Sequence, residues 1–308
     1  MDAGGAEKFL FARFGQEVTG IVPIRHGEWS RAYEFSRGGI GYIVRFSALR
    51  EDFEKDRLAA RYNSPDLPVP AIVELGAAFD GFYAISERAP GDHLDSLDEG
   101  AVRRLLPRLF AALDDARCAD LSSTQGFGVW DGDGRAPHAS WRDALLDVAI
   151  DRPLKRTFGW RARLAASPTG AGPFEEAFER MAALAGHCPE ARHLVHSDLL
   201  HYNVLVTHDR ITAVIDWGSS IYGDFLYDLA WLSFWSPWYP AWSRIDFARE
   251  GAVHYESIGL RVPSFAERLR CYELHIGLDG QAYNAFRGDW ADLDATARRT
   301  LDLARRSS

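Results

Sequence analysis

Cysteine is scarce: Cys118, Cys188 and Cys271 lie far apart in 308 residues, and no C-x-x-C pair occurs. A disulfide framework and a paired-cysteine zinc site are therefore excluded, and a reducing compartment fits best. Long apolar runs are missing as well; none approaches the roughly 20 residues that span a bilayer. The opening M-D-A-G-G-A-E-K-F-L has no basic stretch followed by an apolar core, so no signal peptide is expected and the expected location is the cytoplasm. Cations are outnumbered, 35 Lys and Arg against 44 Asp and Glu, for a net charge of −9. Nucleic acid needs clustered Lys and Arg, so it is not an expected partner. An acidic chain can attract a cationic small molecule, although acidity for solubility explains the charge equally well. Internal repeats, low-complexity tracts and the G-x-G-x-x-G pattern that cradles phosphates are also absent.

What is present is a globular balance, 47% hydrophobic and 26% charged, on a length that suits two lobes. A monomer is expected. The most informative stretch is 193–217, H-L-V-H-S-D-L-L-H-Y-N-V-L-V-T-H-D-R-I-T-A-V-I-D-W. Val204 to Val206 and Ile211 to Ile215 read as two strands about the polar turn 207–210. If they pair antiparallel, Asn203 and Asp216 leave the ribbon at the same open end, with Asp198 on a short loop alongside. Two oxygen ligands and a third carboxylate suit a hard cation such as Mg²⁺. The same set matches phosphoryl-transfer sites, in which one Asp orients the attacking hydroxyl while an Asn and a second Asp hold the metals. His196 is expected to brace the loop by hydrogen bonding.

The first third reads as strand-rich. Arg31 to Ser36 and Gly41 to Phe46 flank the Gly38-Gly39 turn of a hairpin, residues 51–62 favour a helix, and Phe82 to Ser86 forms a short strand. Glu87-Arg88-Ala89-Pro90-Gly91-Asp92 then breaks the pattern. Beyond it, Asp98 caps a helix with Val102, Leu105, Leu106, Leu109, Phe110 and Leu113 at helical spacing, which Pro107 kinks or starts. Residues 142–165, 174–186 and those after Asp224 also read as helices.

H-S-D-L-L-H-Y-N at 196–203 followed by I-D-W at 215–217 resembles the aminoglycoside phosphotransferase family, relatives of the protein kinases. Further similarity through G-E-W-S-R-A-Y-E-F, G-Y-I-V-R-F, D-L-S-S-T-Q-G-F-G and R-I-T-A-V-I-D-W favours its hygromycin B branch and covers most of residues 7 to 285. The resemblance implies an α+β, bilobal, protein-kinase-like fold: an N-terminal lobe with a small antiparallel sheet (1–85), a hinge (86–91) and a larger, mostly helical lobe (92–308). The larger lobe would carry the catalytic loop (193–217) and a helical acceptor-binding subdomain (about 138–185 and 225–308). It implies ATP as donor, with GTP as an alternative, two Mg²⁺ ions on Asn203 and Asp216, and Asp198 as the catalytic carboxylate. The acceptor would be a cationic small molecule, hygromycin B first; another aminoglycoside, a macrolide or a metabolic alcohol are the alternatives, and a catalytically silent binding protein is the rival from another class.

By the same resemblance Arg45 takes the strand position where most relatives have a phosphate-binding Lys, and Asp56 the helix position of its Glu partner. The departure is coherent, because a longer cation meets a shorter anion and Arg can fork to phosphate oxygens. Gly27 to Ala32 would be the hairpin over the nucleotide, with Ser30 near the phosphates, and Ser86, Glu87 and Ala89 the hinge beside the adenine. Asp224 reads as a helix cap. Asp228, Trp235, Trp238, Glu256, Glu273 and Asp279 are the candidates for holding the acceptor by stacking and charge.

Overall fold

The computed structural model describes residues 2–24, 29–153, 155–200 and 202–306. Helix α1 (Ala3–Phe14) starts at Asp2, whose carboxylate accepts the Gly5 N–H at 2.9 Å. Strand β1 (Val18–Pro23) follows, then β2 (Ser30–Arg37) and β3 (Ile40–Ser47). The β2–β3 turn needs left-handed backbone, and Gly38 and Gly39 supply it at φ 58° and 81°. Helix α2 (Arg50–Ala59), β4 (Ile72–Ala78) and β5 (Gly81–Glu87) complete an antiparallel sheet in the order β1-β2-β3-β5-β4. Strand β3 is therefore central, and Arg45 stands inside the sheet rather than on its edge. Its partner residues are Ala32 on one side and Ala84 on the other.

After β5 come β6 (Asp92–His93), α3 (Glu99–Cys118), β7 (Gly128–Val129), α4 (Trp141–Leu146), α5 (Trp160–Ala166) and α6 (Gly172–Leu184). Strands β8 (His193–Val195), β9 (Val204–Thr207), β10 (Arg210–Val214) and β11 (Ile221–Gly223) lead to α7 (Leu226–Trp235), α8 (Phe247–Ser257), α9 (Phe265–Arg287) and α10 (Trp290–Arg305). Two small sheets, β10-β9-β6 and β7-β11-β8, sit under the helices. Gly91 lets the chain pass over β9: a Cβ there would lie 2.3 Å from the Val206 carbonyl oxygen. No helix among the described residues is long and apolar enough to cross a membrane.

The fold is the expected α+β arrangement, with two cores. The smaller lies between α1 and the five-stranded sheet, and the larger fills the helical part. Leu58, Ala59, Leu67 and Val69 belong to the larger core although they precede residue 85. The segment between α2 and β4 is thus held by the helical lobe, and the Val214 N–H donates to the Pro68 carbonyl at 2.7 Å.

The Asp98 cap is as expected, Pro107 does not mark the start of its helix, and one other helix expectation needs correction. Helix α3 runs unbroken through Pro107 and starts at Asp98, which caps the Ala101 N–H at 2.8 Å. The residues α3 buries, Leu105, Leu109 and Phe110 among them, are worth about 1.5–3 kcal/mol each, enough to offset the hydrogen bond that proline removes. Residues 142–165 are not one helix. After α4 the chain makes a tight turn over Asp147–Ala149 and leaves helical geometry until Trp160. Pro153 disfavours a helical Arg152, and Asp147 draws Arg152 and Lys155 onto itself.

Candidate active site

The loop after β8 is fixed by buried polar groups. Asp228, on α7, accepts the N–H groups of His196 and Ser197 at 2.9 and 2.8 Å. The His196 ring takes the Asp198 N–H on Nδ1 at 3.2 Å, so its Nε2 carries the proton and donates to the Ile215 carbonyl at 2.9 Å. Burial lowers the His196 pKa. The ring therefore braces two strands as a neutral group, as its sequence context suggests. Asn203 donates from its amide nitrogen to the Asp198 carbonyl at 2.8 Å, which turns its amide oxygen the other way. The Ile215 N–H reaches the Asn203 carbonyl at 2.9 Å, so Asn203 and Asp216 do leave the β9–β10 ribbon together.

Backbone strain gathers here. Ser197, Tyr202 and Asp216 adopt left-handed conformations at φ 59°, 74° and 62°. Such conformations cost on the order of 1–3 kcal/mol each and persist where the surroundings over-determine them.

Asp216 is tied to the other lobe through α2. One Asp56 oxygen pairs with Arg45, and the other accepts the Trp217 N–H at 2.8 Å. Next to it, Lys55 is almost wholly buried and donates to the Gly218 carbonyl at 2.6 Å. Burial pulls the Lys55 pKa down to about 8. Burial also opposes the Arg45 charge, yet Asp56, Asp216 and Asp52 hold its pKa above the ordinary value. Asp216 is pushed up to about 6 by burial and by the negative charge of Asp56, with Asp198 and Asp52 adding to it.

These groups line one cleft of ≈ 1660 Å³ between sheet and helices. Ser30, Arg45, Asp56, Ser86, Glu87 and Ala89 face it from the sheet side, and Asp198, Asn203 and Asp216 from its floor. Arg25, His26, Gly27 and Glu28 lie outside the described residues, so the expected hairpin is seen only from Trp29 onward.

On the helical side the structure sorts the acceptor candidates. Trp235, Trp238 and Asp279 line the cleft, joined by Trp231 and by His275. His275 meets the Tyr227 hydroxyl at 2.9 Å, and burial drives its pKa down to about 3, so the ring is neutral. Asp228 does not face the cleft: it is buried under the loop it supports, where burial lifts its pKa to about 7 against the two N–H bonds it accepts. Glu273 is also turned away, taking the Ser233 hydroxyl at 2.6 Å within the helical core. Glu256 lies on α8, away from the cleft lining. Asp224 does cap α7, its Oδ1 accepting the Leu226 N–H at 3.3 Å, and it also holds Arg268 in a buried bidentate pair at 2.7 and 2.8 Å and takes the Tyr272 hydroxyl at 2.5 Å. Trp242 is core, its Nε1 donating to the Leu97 carbonyl at 3.0 Å.

The Phosphotransferase enzyme family model matches residues 20–262. The chain belongs to this phosphotransferase family. It is 34% identical over 296 residues to the hygromycin-B 4-O-kinase of Escherichia coli, covering 95% of this chain and 82% of that protein. The crystal structure of aminoglycoside phosphotransferase APH(4)-Ia matches over 100% of both chains at 32% identity, with a TM-score of 0.87. A thermostable mutant of it, solved as a ternary complex with AMP-PNP and hygromycin B, matches over 98% of each chain at 33% identity and a TM-score of 0.85.

In a phosphotransferase the question of the metal follows at once. Among the described residues no group of three or more His, Cys, Asp and Glu is arranged to hold an ion by itself. Asn203 and Asp216 nonetheless fit a hard cation that takes its remaining oxygens from phosphates. The amide oxygen of Asn203 is oriented by the bond on its nitrogen, and Asp216 stands in a surplus of negative charge that a dication would relieve. Sequence reasoning passed over Asp95 of this phosphotransferase, whose carboxylate takes the Tyr202 N–H at 3.2 Å and the Tyr239 hydroxyl at 3.1 Å. Its position three residues before the cap Asp98 gave no signal.

Proposed function

We propose that this phosphotransferase moves the γ-phosphoryl group of ATP to a hydroxyl of hygromycin B and thereby inactivates the antibiotic. The convergence of Asp198, Asn203, Asp216 and the Arg45–Asp56 pair on one cleft carries this proposal. The hydroxyl oxygen bonds to the γ-phosphorus, the bond from phosphorus to the β–γ bridging oxygen breaks, and ADP leaves. Asp198 accepts the hydroxyl proton. Arg45 forks to phosphate oxygens while Asp56 holds its guanidinium in place. Asn203 and Asp216 would hold Mg²⁺, which would supply neutralisation of the phosphate charge. The sheet lobe and hinge take the nucleotide, and the helical side takes the acceptor, its rings stacking on Trp235 and Trp238 and an ammonium group meeting Asp279.

A transfer assay with ATP or GTP against hygromycin B, other aminoglycosides, a macrolide and simple amino alcohols tests the assignment, with mass and NMR identification of the product. Turnover of hygromycin B that stops on chelation and returns with Mg²⁺ is expected. Transfer to another acceptor and none to hygromycin B would refute the substrate. On the acceptor side, Asp279→Asn is expected to raise the hygromycin B KM about tenfold, the scale of one charge-assisted hydrogen bond, with the ATP KM unchanged. Steady-state kinetics in each substrate checks this, and equal changes in both KM values would remove Asp279 from the acceptor site.

A further inference from the structure

The loop between Asp147 and Trp160 is stapled at both ends by carboxylates. Asp147 accepts Arg152 Nε and Lys155 Nζ, each at 2.9 Å, and Asp151 accepts the Gly159 N–H at 2.9 Å. Out of this fixed frame Arg156 reaches across the cleft to α2. Its two terminal nitrogens fork onto Asp52, Nη2 to Oδ1 at 2.6 Å and Nη1 to Oδ2 at 3.2 Å. The guanidinium also lies 5.6 Å from the centre of the Trp29 ring, at the foot of the β1–β2 hairpin.

Asp52 sits one helical turn before Asp56 and lines the cleft beside Asp216. A Cβ built on Gly218 would be 3.4 Å from both Asp52 Oδ1 and Asp216 Oδ1, so the two carboxylates flank one backbone position. Asp147, Val148, Lys155 and Thr157 of the same loop line the helical side of the cleft. One short segment therefore forms part of the acceptor wall and grips the sheet lobe.

We propose that Arg156 is a positioning residue, a clamp whose ion pair with Asp52 holds the helical lobe closed on the sheet lobe around the nucleotide. This rests on the assignment of the sheet side to the nucleotide. An exposed pair within one helix moves only two side chains. The Arg156–Asp52 pair joins segments 104 residues apart from opposite walls of a cleft, so its energy enters the closing equilibrium and through it the affinity for whatever the closed cleft holds. Arginine suits the place because its planar fork engages both Asp52 oxygens while its face covers Trp29; a lysine would keep the charge and lose both features.

The test is a double-mutant cycle on the full chain, with the Mg²⁺ complex of AMP-PNP as the probe and calorimetry as the readout. Arg156→Gln and Asp52→Asn should each weaken AMP-PNP binding about three- to fivefold, the range open to a partly exposed pair. The double variant should be no weaker than the worse single one. Arg156→Lys should recover part of the loss, and thermal midpoints without nucleotide should stay at the wild-type value, which a merely structural role would not leave untouched. Wild-type affinity in Arg156→Gln would overturn the clamp, as would losses that multiply in the double variant. A loss in Arg156→Gln with none in Asp52→Asn would also overturn it, since Arg156 would then act on phosphate directly. A wild-type protein that binds no AMP-PNP would instead sink the assignment of the cleft to a nucleotide, and the clamp with it.

Discussion

Asp198→Ala is expected to lower phosphoryl transfer at least about 10³-fold, within the range attributed to a positioned general base, while AMP-PNP affinity stays close to wild type. The scaffold supports so selective a loss. Backbone groups of this residue help anchor the loop: the Asp198 N–H on His196 and the Asp198 carbonyl under Asn203. The side chains that brace it, His196 and Asp228, lie elsewhere and survive the substitution. Single-turnover transfer and nucleotide titration on the same preparation separate the two effects. Asp198→Asn, which keeps the shape and removes the basic oxygen, should be impaired to a similar degree. Turnover near the wild-type rate in either variant would remove the proton-accepting role.

Arg268→Ala should cost about 3–5 kcal/mol of folding stability, the largest effect on stability expected of any single change discussed. Asp224 is fully buried, and the Arg268 side chain is only 5% exposed. Removing the guanidinium leaves a buried carboxylate with only the neutral Tyr272 hydroxyl and Leu226 N–H as partners. Denaturant unfolding measures the loss. Replacing both partners, as Asp224→Asn with Arg268→Met, should recover a large part of it, because no buried charge is then left alone. A single-variant loss below about 1 kcal/mol would mean that solvent reaches Asp224, contrary to its burial.

The sequence was legible where a signal is local. The alternation around Gly38 and Gly39 marked the hairpin, and the run from His196 to Trp217 marked the loop, the ribbon and the shared exit of Asn203 and Asp216. Similarity to relatives placed Arg45 opposite Asp56, and the central position of β3 explains why that arginine is covered. The failures arose where the sequence could not tell inside from outside. Helix α7 reads L-Y-D-L-A-W-L-S-F-W, apolar nearly all round, so nothing local says whether Asp228 faces ligand or core. Most of α9 is buried, and Glu273 and Asp279, six positions apart, end on different sides of the wall. The pairing of Arg156 with Asp52 depends on how two distant segments pack, and neither carries a pattern that names the other.

The guanidinium at position 45 also decides how the cleft can be labelled chemically. Arginine stays protonated and is a poor nucleophile, so an amine-directed acylating reagent would find nothing to modify on β3. The chain has three lysines. Lys8 sits on α1, within the helix that backs the sheet, and Lys55, though its pKa is near 8, is buried and bonded to the Gly218 carbonyl. Lys155 lines the cleft with its side chain 46% exposed. A tethered reagent would therefore mark the helical side of the cleft, and protection of Lys155 by a bound ligand would report occupancy of that half alone.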